Sequence, residues 1–297
     1  MAPSRSAQGR PGVAARLGGA LSPRLWRPGL TVSRREFLAT VGLAVPALTL
    51  LAACGSIPAN PGQTAAKTST PAGNAGTTSA PKTITVTVPG EDYFDPFIVT
   101  ANAGDTVQWS NKDSDAHAVV SVPDAPASIM LTLPANQSAS FKFDKAGVYN
   151  YYCNVHADYD ASIKRVKAHK DSSVFPVAME GFIVVQGPEL SQAAQQSATV
   201  TIPGKDLFQP YIVVLKQGGE VTWHNGDTDA HAVVAADNSF MLPVQGGQSV
   251  THTFSSPGTY YYYCNVHADL DAKTHSAKAH EDASAYPVAM AGLIVVV

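Results

Sequence analysis

The chain carries a duplicated set of motifs, and this internal repeat limits the fold more strongly than any other feature of the sequence. Tyr-Tyr-Cys-Asn-Val-His occupies residues 151–156 and recurs at residues 262–267. Asp-Ala-His-Ala-Val-Val at residues 115–120 recurs at residues 229–234, and Pro-Val-Ala-Met at residues 176–179 recurs at residues 287–290. Because the motifs keep their order, the sequence predicts two tandem domains, residues 83–185 and 198–297, joined by a linker at residues 186–197. Each repeat is long enough to bury a core.

Short alternating segments in each repeat indicate β-strands. Residues 83–88 alternate polar and apolar side chains with the period of two that a half-buried strand requires. Residues 141–143, 149–152 and 182–185 continue the pattern, and turn residues such as Pro89-Gly90 lie between these segments. The sequence therefore predicts an all-β chain built from two tandem Greek-key β-sandwich domains.

Each repeat offers the same four metal-binding side chains in the same order. They are His117, Cys153, His156 and Met179 in the first repeat, and His231, Cys264, His267 and Met290 in the second. Two imidazoles and a thiolate with a weak thioether form the ligand set of a type 1 copper site. The alternative for an exported protein is a disulfide between the two cysteines. We favour copper because each cysteine has its own histidine at the same spacing.

The order of these residues resembles the cupredoxins, the blue-copper family that includes plastocyanin, pseudoazurin and amicyanin. An upstream His is followed by a clustered Cys, His and Met, just before a final Gly-x-Ile-Val-Val strand. The resemblance covers both repeats and nothing N-terminal to them. It implies one type 1 copper per repeat, and it implies that the surface imidazoles His156 and His267 pass the electron.

Two features depart from that family. The Met usually lies a few residues after the second His, whereas 22 residues separate His156 from Met179 here, so the axial role of the methionines rests on their place before the last strand. Ala118 and Ala232 stand where many cupredoxins have Asn, so we predict that Asn154 and Asn265 donate the hydrogen bond that Asn makes there.

The long segment between the second His and the Met carries a further histidine in each repeat, His169 and His280. These histidines are candidates for a second metal, for a cap on the copper or for a partner-docking face. The alternative is a solvated helical insertion whose matching residues survive from the duplication.

Residues 1–53 read as an export signal. Ser33-Arg34-Arg35-Glu36-Phe37-Leu38 has the twin-arginine pattern, and an apolar run follows at residues 37–53. The run ends before Cys54 in Leu-Ala-Ala-Cys, which resembles the bacterial lipobox and implies a lipid-modified Cys54. A short transmembrane anchor is the alternative. The lipobox predicts a cell-envelope lipoprotein, at the outer face of the cytoplasmic membrane or in the periplasm.

The segment after the signal is a predicted tether. Residues 54–82 are rich in Ser, Thr, Ala, Gly and Pro, a composition that does not repay the entropy of ordering.

The chain has 20 basic and 23 acidic residues, of which residues 1–53 hold seven Arg and one Glu, so the remainder has a net charge of −9. This charge argues against nucleic acid and favours a basic redox partner.

The resemblance implies a membrane-tethered carrier that moves single electrons between exported redox proteins, such as cytochromes or membrane oxidoreductases. Two other functions stay open: a protein that delivers or sequesters copper, and a copper oxidoreductase of the nitrite reductase type. The sequence disfavours an enzyme because neither cysteine has a neighbouring histidine and the chain has no His-x-His pair. Ligands for a type 2 or trinuclear copper centre are therefore missing.

Overall fold

The first repeat folds into ten strands in the computed structural model, which describes residues 80–297. The strands are β1 (Thr83–Val88), β2 (Ile98–Asn102), β3 (Thr106–Asn111), β4 (His117–Ser121), β5 (Met130–Leu133), β6 (Ser138–Lys142), β7 (Gly147–Tyr152), β8 (Ala157–Asp160), β9 (Arg165–Ala168) and β10 (Glu180–Gln186). One sheet has the order β1-β3-β6 and the other has the order β2-β10-β7-β4-β5. The predictions for residues 1–79, including the signal and Cys54, lie outside the described residues.

The second repeat follows a short helix and has the same arrangement of strands. Its elements are α1 (Pro188–Ala193), β11 (Gln195–Ile202), β12 (Ile212–Asn225), β13 (His231–Ala235), β14 (Met241–Val244), β15 (Ser249–Phe254), β16 (Gly258–Tyr263), β17 (Ala268–Leu270), β18 (Ala277–Ala279) and β19 (Ala291–Val296). The 14-residue strand β12 takes the place of both β2 and β3, so it joins the two sheets into one of seven strands. The predicted all-β sandwich class is confirmed.

A tryptophan and a tyrosine form the centre of each core. Trp109 on β3 and Tyr151 on β7 are fully buried and meet edge to face, with ring centroids 5.4 Å apart. Trp223 and Tyr262 repeat this contact at 5.5 Å in the second core. Aromatic pairs in this geometry add to the stability that burial supplies, which explains why both repeats keep them at matching positions.

Gly181, the second residue of β10, leaves room for a buried tyrosine of the neighbouring strand. Gly181 on β10 lies opposite Tyr151 on β7, and a Cβ atom at Gly181 would lie 2.6 Å from the tyrosine hydroxyl. A side chain at Gly181 would therefore displace the buried Tyr151 ring and disturb the pairing of the two strands. Their pairing continues past the end of β7, where the Cys153 amide donates to the Met179 carbonyl at 3.0 Å.

The segments between the second His and the Met contain β-ribbons, not the helical insertion considered from sequence. Strands β8 and β9 pair antiparallel in the first repeat, and β17 and β18 pair in the second. The helix considered for this segment is therefore wrong. No helix within residues 80–297 has the length and apolar character that a membrane crossing requires.

Candidate metal centre

Three ligand candidates of the first repeat meet at one end of its larger sheet. His117 is the first residue of β4, Cys153 directly follows β7, and His156 directly precedes β8. Because β4 pairs with β7, the histidine from the distant β4 comes next to the Cys-x-x-His turn. The second repeat brings His231, Cys264 and His267 together in the same way through β13 and β16.

The distances between the donor atoms fit a bound metal ion. Nδ1 of His117 and Nδ1 of His156 lie 3.8 and 3.7 Å from the Cys153 sulfur. A metal about 2.0–2.1 Å from nitrogen and about 2.3 Å from sulfur, with an angle of about 120°, separates the two donors by about 3.7 Å. The first cluster therefore has the spacing of a trigonal site.

The second cluster has nearly the same dimensions. Nδ1 of His231 and Nδ1 of His267 lie 3.9 and 3.7 Å from the Cys264 sulfur, and the two nitrogens are 3.2 Å apart. Both cysteines are free and buried, each beside its own pair of histidines. This arrangement argues against the alternative of a Cys153–Cys264 disulfide.

The two methionines lie beside the cysteines in the buried core. Met179 is fully buried in the same apolar cluster as Cys153, and Met290 is fully buried with Cys264. The Cys264 amide donates to the Met290 carbonyl at 2.9 Å, which matches the pairing in the first repeat. The backbones of Met179 and Met290 thus adjoin the cysteines, and their axial role stays a prediction.

A backbone amide donates to each sulfur. The Ala118 amide lies 3.3 Å from the Cys153 sulfur, and the Ala232 amide lies 3.4 Å from the Cys264 sulfur. We expected the neighbouring side chains of Asn154 and Asn265 to supply this bond, but both residues are exposed. The donor is a main-chain group one residue after the first histidine, so its presence does not depend on the side chain there.

The chain is similar in sequence to known copper-binding proteins. The family "Copper binding proteins, plastocyanin/azurin family" matches residues 83–163. Chloroplastic plastocyanin of Tetradesmus obliquus is 38% identical over 77 residues, which are 23% of this chain and 52% of that protein, so the chain spans about half of that relative. Plastocyanin of Scenedesmus fuscus is 39% identical over 76 residues, which are 23% of this chain and 78% of that protein. The chain belongs to the plastocyanin/azurin family.

Solved cupredoxin structures are also similar to the chain. A reduced amicyanin mutant is 24% identical with a TM-score of 0.26, covering 35% of this chain and 82% of its own. A purple cupredoxin from Nitrosopumilus maritimus is 23% identical with a TM-score of 0.23, covering 34% of this chain and 98% of its own.

A carboxylate orients the first histidine of each cupredoxin cluster. Nε2 of His117 lies 3.2 Å from Asp113 Oδ2, and Nε2 of His231 lies 3.5 Å from Asp227 Oδ2. The first contact is a hydrogen bond, while the second is longer and leaves His231 Nε2 without one. A proton held on Nε2 leaves Nδ1 free to bind a metal, so Asp113 fixes the tautomer that the site needs.

Burial sets the protonation of the metal-free clusters. It raises the pKa of the Cys153 and Cys264 thiols and lowers the pKa of His156 and His231. At neutral pH each metal-free site therefore holds a protonated thiol and neutral imidazoles at these positions. A metal ion that binds must displace the thiol proton, because the thiolate is the ligand.

The second histidine of each cluster lies nearest to solvent. The side chains of His156 and His267 are 13% and 15% exposed, whereas those of His117 and His231 are fully buried. The neighbouring Val155 and Val266 are about half exposed. The ring that the resemblance assigned to electron exit is therefore the accessible one, and it has an apolar neighbour.

The additional histidines support the ligand turn. Nδ1 of His169 donates to the Val155 carbonyl at 3.0 Å, and its Nε2 lies 3.0 Å from Asp158. His280 makes the equivalent contacts with Val266 and Asp269. Both ring nitrogens already have oxygen partners, so this arrangement favours loop positioning over a second metal.

Besides Asp113 and Asp227, the structure places a second carboxylate beside each cluster that sequence reasoning missed. Asp92 Oδ1 lies 3.4 Å from His156 Nδ1, and Asp206 Oδ1 lies 3.5 Å from His267 Nδ1. Both aspartates are only 6% exposed. The signal was present in the sequence, because Gly-x-Asp-x-Phe occurs at residues 90–94 and again at residues 204–208.

Proposed function

We propose that the protein is an electron carrier with one type 1 copper in each repeat. The observation that carries this proposal is the pair of matching His-Cys-His clusters, each with donor atoms at metal-binding separation. The proposed ligands are His117, Cys153, His156 and Met179 in the first repeat, and His231, Cys264, His267 and Met290 in the second. Copper, when bound, supplies a one-electron couple.

The chain's own residues provide the rigidity that fast electron transfer needs. Paired strands hold Cys153 and His117, and main-chain hydrogen bonds fix the Cys153 sulfur and the Met179 carbonyl. Ligands held this firmly move little when the charge on the metal changes, which keeps the reorganisation energy low. His156 provides the accessible edge through which an electron enters or leaves.

Burial favours a carrier over a copper-delivery protein. Cys153 and Cys264 are fully buried, so a partner protein that takes copper by ligand exchange does not reach the sulfur directly. A carrier retains its copper through many redox cycles, while a delivery protein releases it. The rate of copper transfer to an external chelator therefore separates the two functions.

The location and partners are proposed from the sequence. A lipid on Cys54 and the segment of residues 54–82 would tether the two repeats to the outer face of the cytoplasmic membrane. The net charge of −9 after residue 53 favours basic redox proteins as partners. Cytochromes and membrane oxidoreductases are the proposed partner classes.

Copper stoichiometry tests the proposal. We expect two coppers per chain and, after oxidation, an intense thiolate-to-copper absorption band. Cys153→Ser should remove one copper and part of the band, and Cys264→Ser should remove the other, because a hydroxyl does not replace the covalent thiolate. Cys54→Ser is the matched control and should keep both sites. A single variant that erases both sites would refute independent centres.

A further inference from the structure

The two buried aspartates beside the clusters have no role in the ligand set proposed above. We propose that Asp92 and Asp206 each contribute a carboxylate oxygen to the metal site of their repeat, in addition to the His-Cys-His donors. This inference rests on the proposed copper binding and concerns the coordination and redox preference of the same sites.

The position of Asp92 Oδ1 is compatible with metal binding. It lies 3.4 Å from His156 Nδ1, the same nitrogen that lies 3.7 Å from the Cys153 sulfur. Oxygen and nitrogen donors about 2.0–2.2 Å from one ion are about 3.4 Å apart when the angle between them is about 110°. A donor atom of Asp92 also lies within 4.8 Å of a nitrogen of His117. The carboxylate is therefore close to both imidazoles.

The other carboxylate oxygen is held by the loop that leads to Met179. Asp92 Oδ2 accepts a hydrogen bond from the Ser173 amide at 2.6 Å, and the Asp92 amide donates to the Ser173 hydroxyl at 2.9 Å. This pair of bonds fixes the carboxylate plane and directs Oδ1 to the cluster. A buried anionic oxygen is costly unless a cation or a donor compensates it, and a metal ion would do so.

The second repeat repeats every part of this arrangement. Asp206 Oδ1 lies 3.5 Å from His267 Nδ1, Oδ2 accepts from the Ser284 amide, and the Asp206 amide donates to the Ser284 hydroxyl at 2.9 Å. The residues on either side differ, since Glu91 and Tyr93 in the first repeat correspond to Lys205 and Leu207 in the second. The geometry thus depends on the aspartate and its serine partner.

A carboxylate beside the thiolate changes which copper oxidation state the site prefers. With both anions present the site is neutral around Cu(II) and carries one negative charge around Cu(I). A buried site disfavours net charge, so Asp92 and Asp206 favour Cu(II). An added oxygen donor would also extend the His-Cys-His-Met set by one ligand, which would change the thiolate band and the copper hyperfine splitting.

The test uses the full-length, copper-loaded protein with one site at a time. Asp92→Asn is made in the Cys264→Ser background, where the first site alone binds copper. We expect the preference of the site for Cu(II) over Cu(I) to fall at least tenfold. This change corresponds to a rise of about 59 mV in the midpoint potential. We also expect a changed EPR spectrum. Asp144→Asn is the control, because Asp144 is an exposed carboxylate in the same repeat.

Two further variants keep the result interpretable. Ser173→Ala removes the hydroxyl that accepts from the Asp92 amide but keeps the bond from the Ser173 amide to the carboxylate, so it should lower stability more than it alters the EPR spectrum. Asp206→Asn in the Cys153→Ser background repeats the test in the second site if the first variant does not fold. The inference is refuted if Asp92→Asn matches Asp144→Asn in spectrum and potential. A parent protein without the thiolate band would instead refute the proposed function.

Discussion

Replacing Arg165 with methionine should destabilise the protein by about 3–5 kcal/mol at neutral pH, because it would leave a buried carboxylate without its cation. Arg165 lies on β9 of the first repeat, is 3% exposed, and donates to the carbonyls of Ala291 and Ala289 in the second repeat at 3.1 and 3.0 Å. Its guanidinium group also lies 3.5 Å from the centre of the Tyr211 ring.

The carboxylate that this cation compensates is Glu180, the residue after Met179. Its two oxygens accept hydrogen bonds from the Tyr211 hydroxyl at 2.9 Å and from the Asn150 amide at 3.0 Å. Burial raises the pKa of Glu180, and the charge of Arg165 and these hydrogen bonds oppose that rise. Without Arg165, the pKa of Glu180 should rise further.

The pH dependence identifies the mechanism. A carboxyl group whose pKa is raised in the folded state contributes stability that is fully present below its unfolded pKa of about 4.3 and is lost as the pH rises through the folded value. The penalty of Arg165→Met should therefore be smaller at pH 4 than at pH 7. Urea unfolding of the metal-free protein at both pH values measures this difference relative to the parent.

Two companion variants test the attribution to Glu180. The double variant Arg165→Met/Glu180→Gln should recover much of the loss at neutral pH, because it removes the orphaned charge. Lys164→Met is the matched control, since the Lys164 side chain is 71% exposed and water screens its surface ion pair with Asp124. A loss below about 1 kcal/mol for Arg165→Met, or equal losses at both pH values, would refute the reasoning.

Three further outcomes follow from the proposed sites and from the sequence. Met179→Leu should keep the colour of the first site and raise its potential, as measured by redox titration, because the thioether is a weak ligand; loss of colour would show a stronger bond. The double variant His169→Ala/His280→Ala should keep two coppers per chain but release them faster to a chelator, because the Val155 and Val266 carbonyls lose their hydrogen bonds from the imidazoles. An unchanged release rate would show that these histidines do not position the ligand turn. Cys54→Ala should leave an unlipidated precursor, checked by mass spectrometry, and normal acylation would contradict the lipoprotein hypothesis.

The motifs along the chain were sufficient to predict the fold class and to predict which of the main ligand candidates belong to the same site. The pattern of residues 83–88 predicted β1 with its observed bounds. Cys153 and His156 lie in one turn, so their proximity is a local property of the chain. His117 had to come from a distant strand, and its duplication at His231 in the same sequence context made that pairing predictable.

Tertiary structure decided which groups surround those ligands. The approach of Asp92 to His156 depends on the Ser173 loop, which is 81 residues further along the chain. The contact of Arg165 with Ala291 spans 126 residues and joins the two repeats. Comparing the two repeats does not reveal that contact. The second repeat has Ser276 where the first has Arg165, and it has Ala291 where the first has Glu180. The sequence by itself determined the strands and the local ligand turns, since these depend on neighbouring residues. Folding alone decided the buried charges, because a charge in the interior is tolerated only where distant segments bring its partners to it.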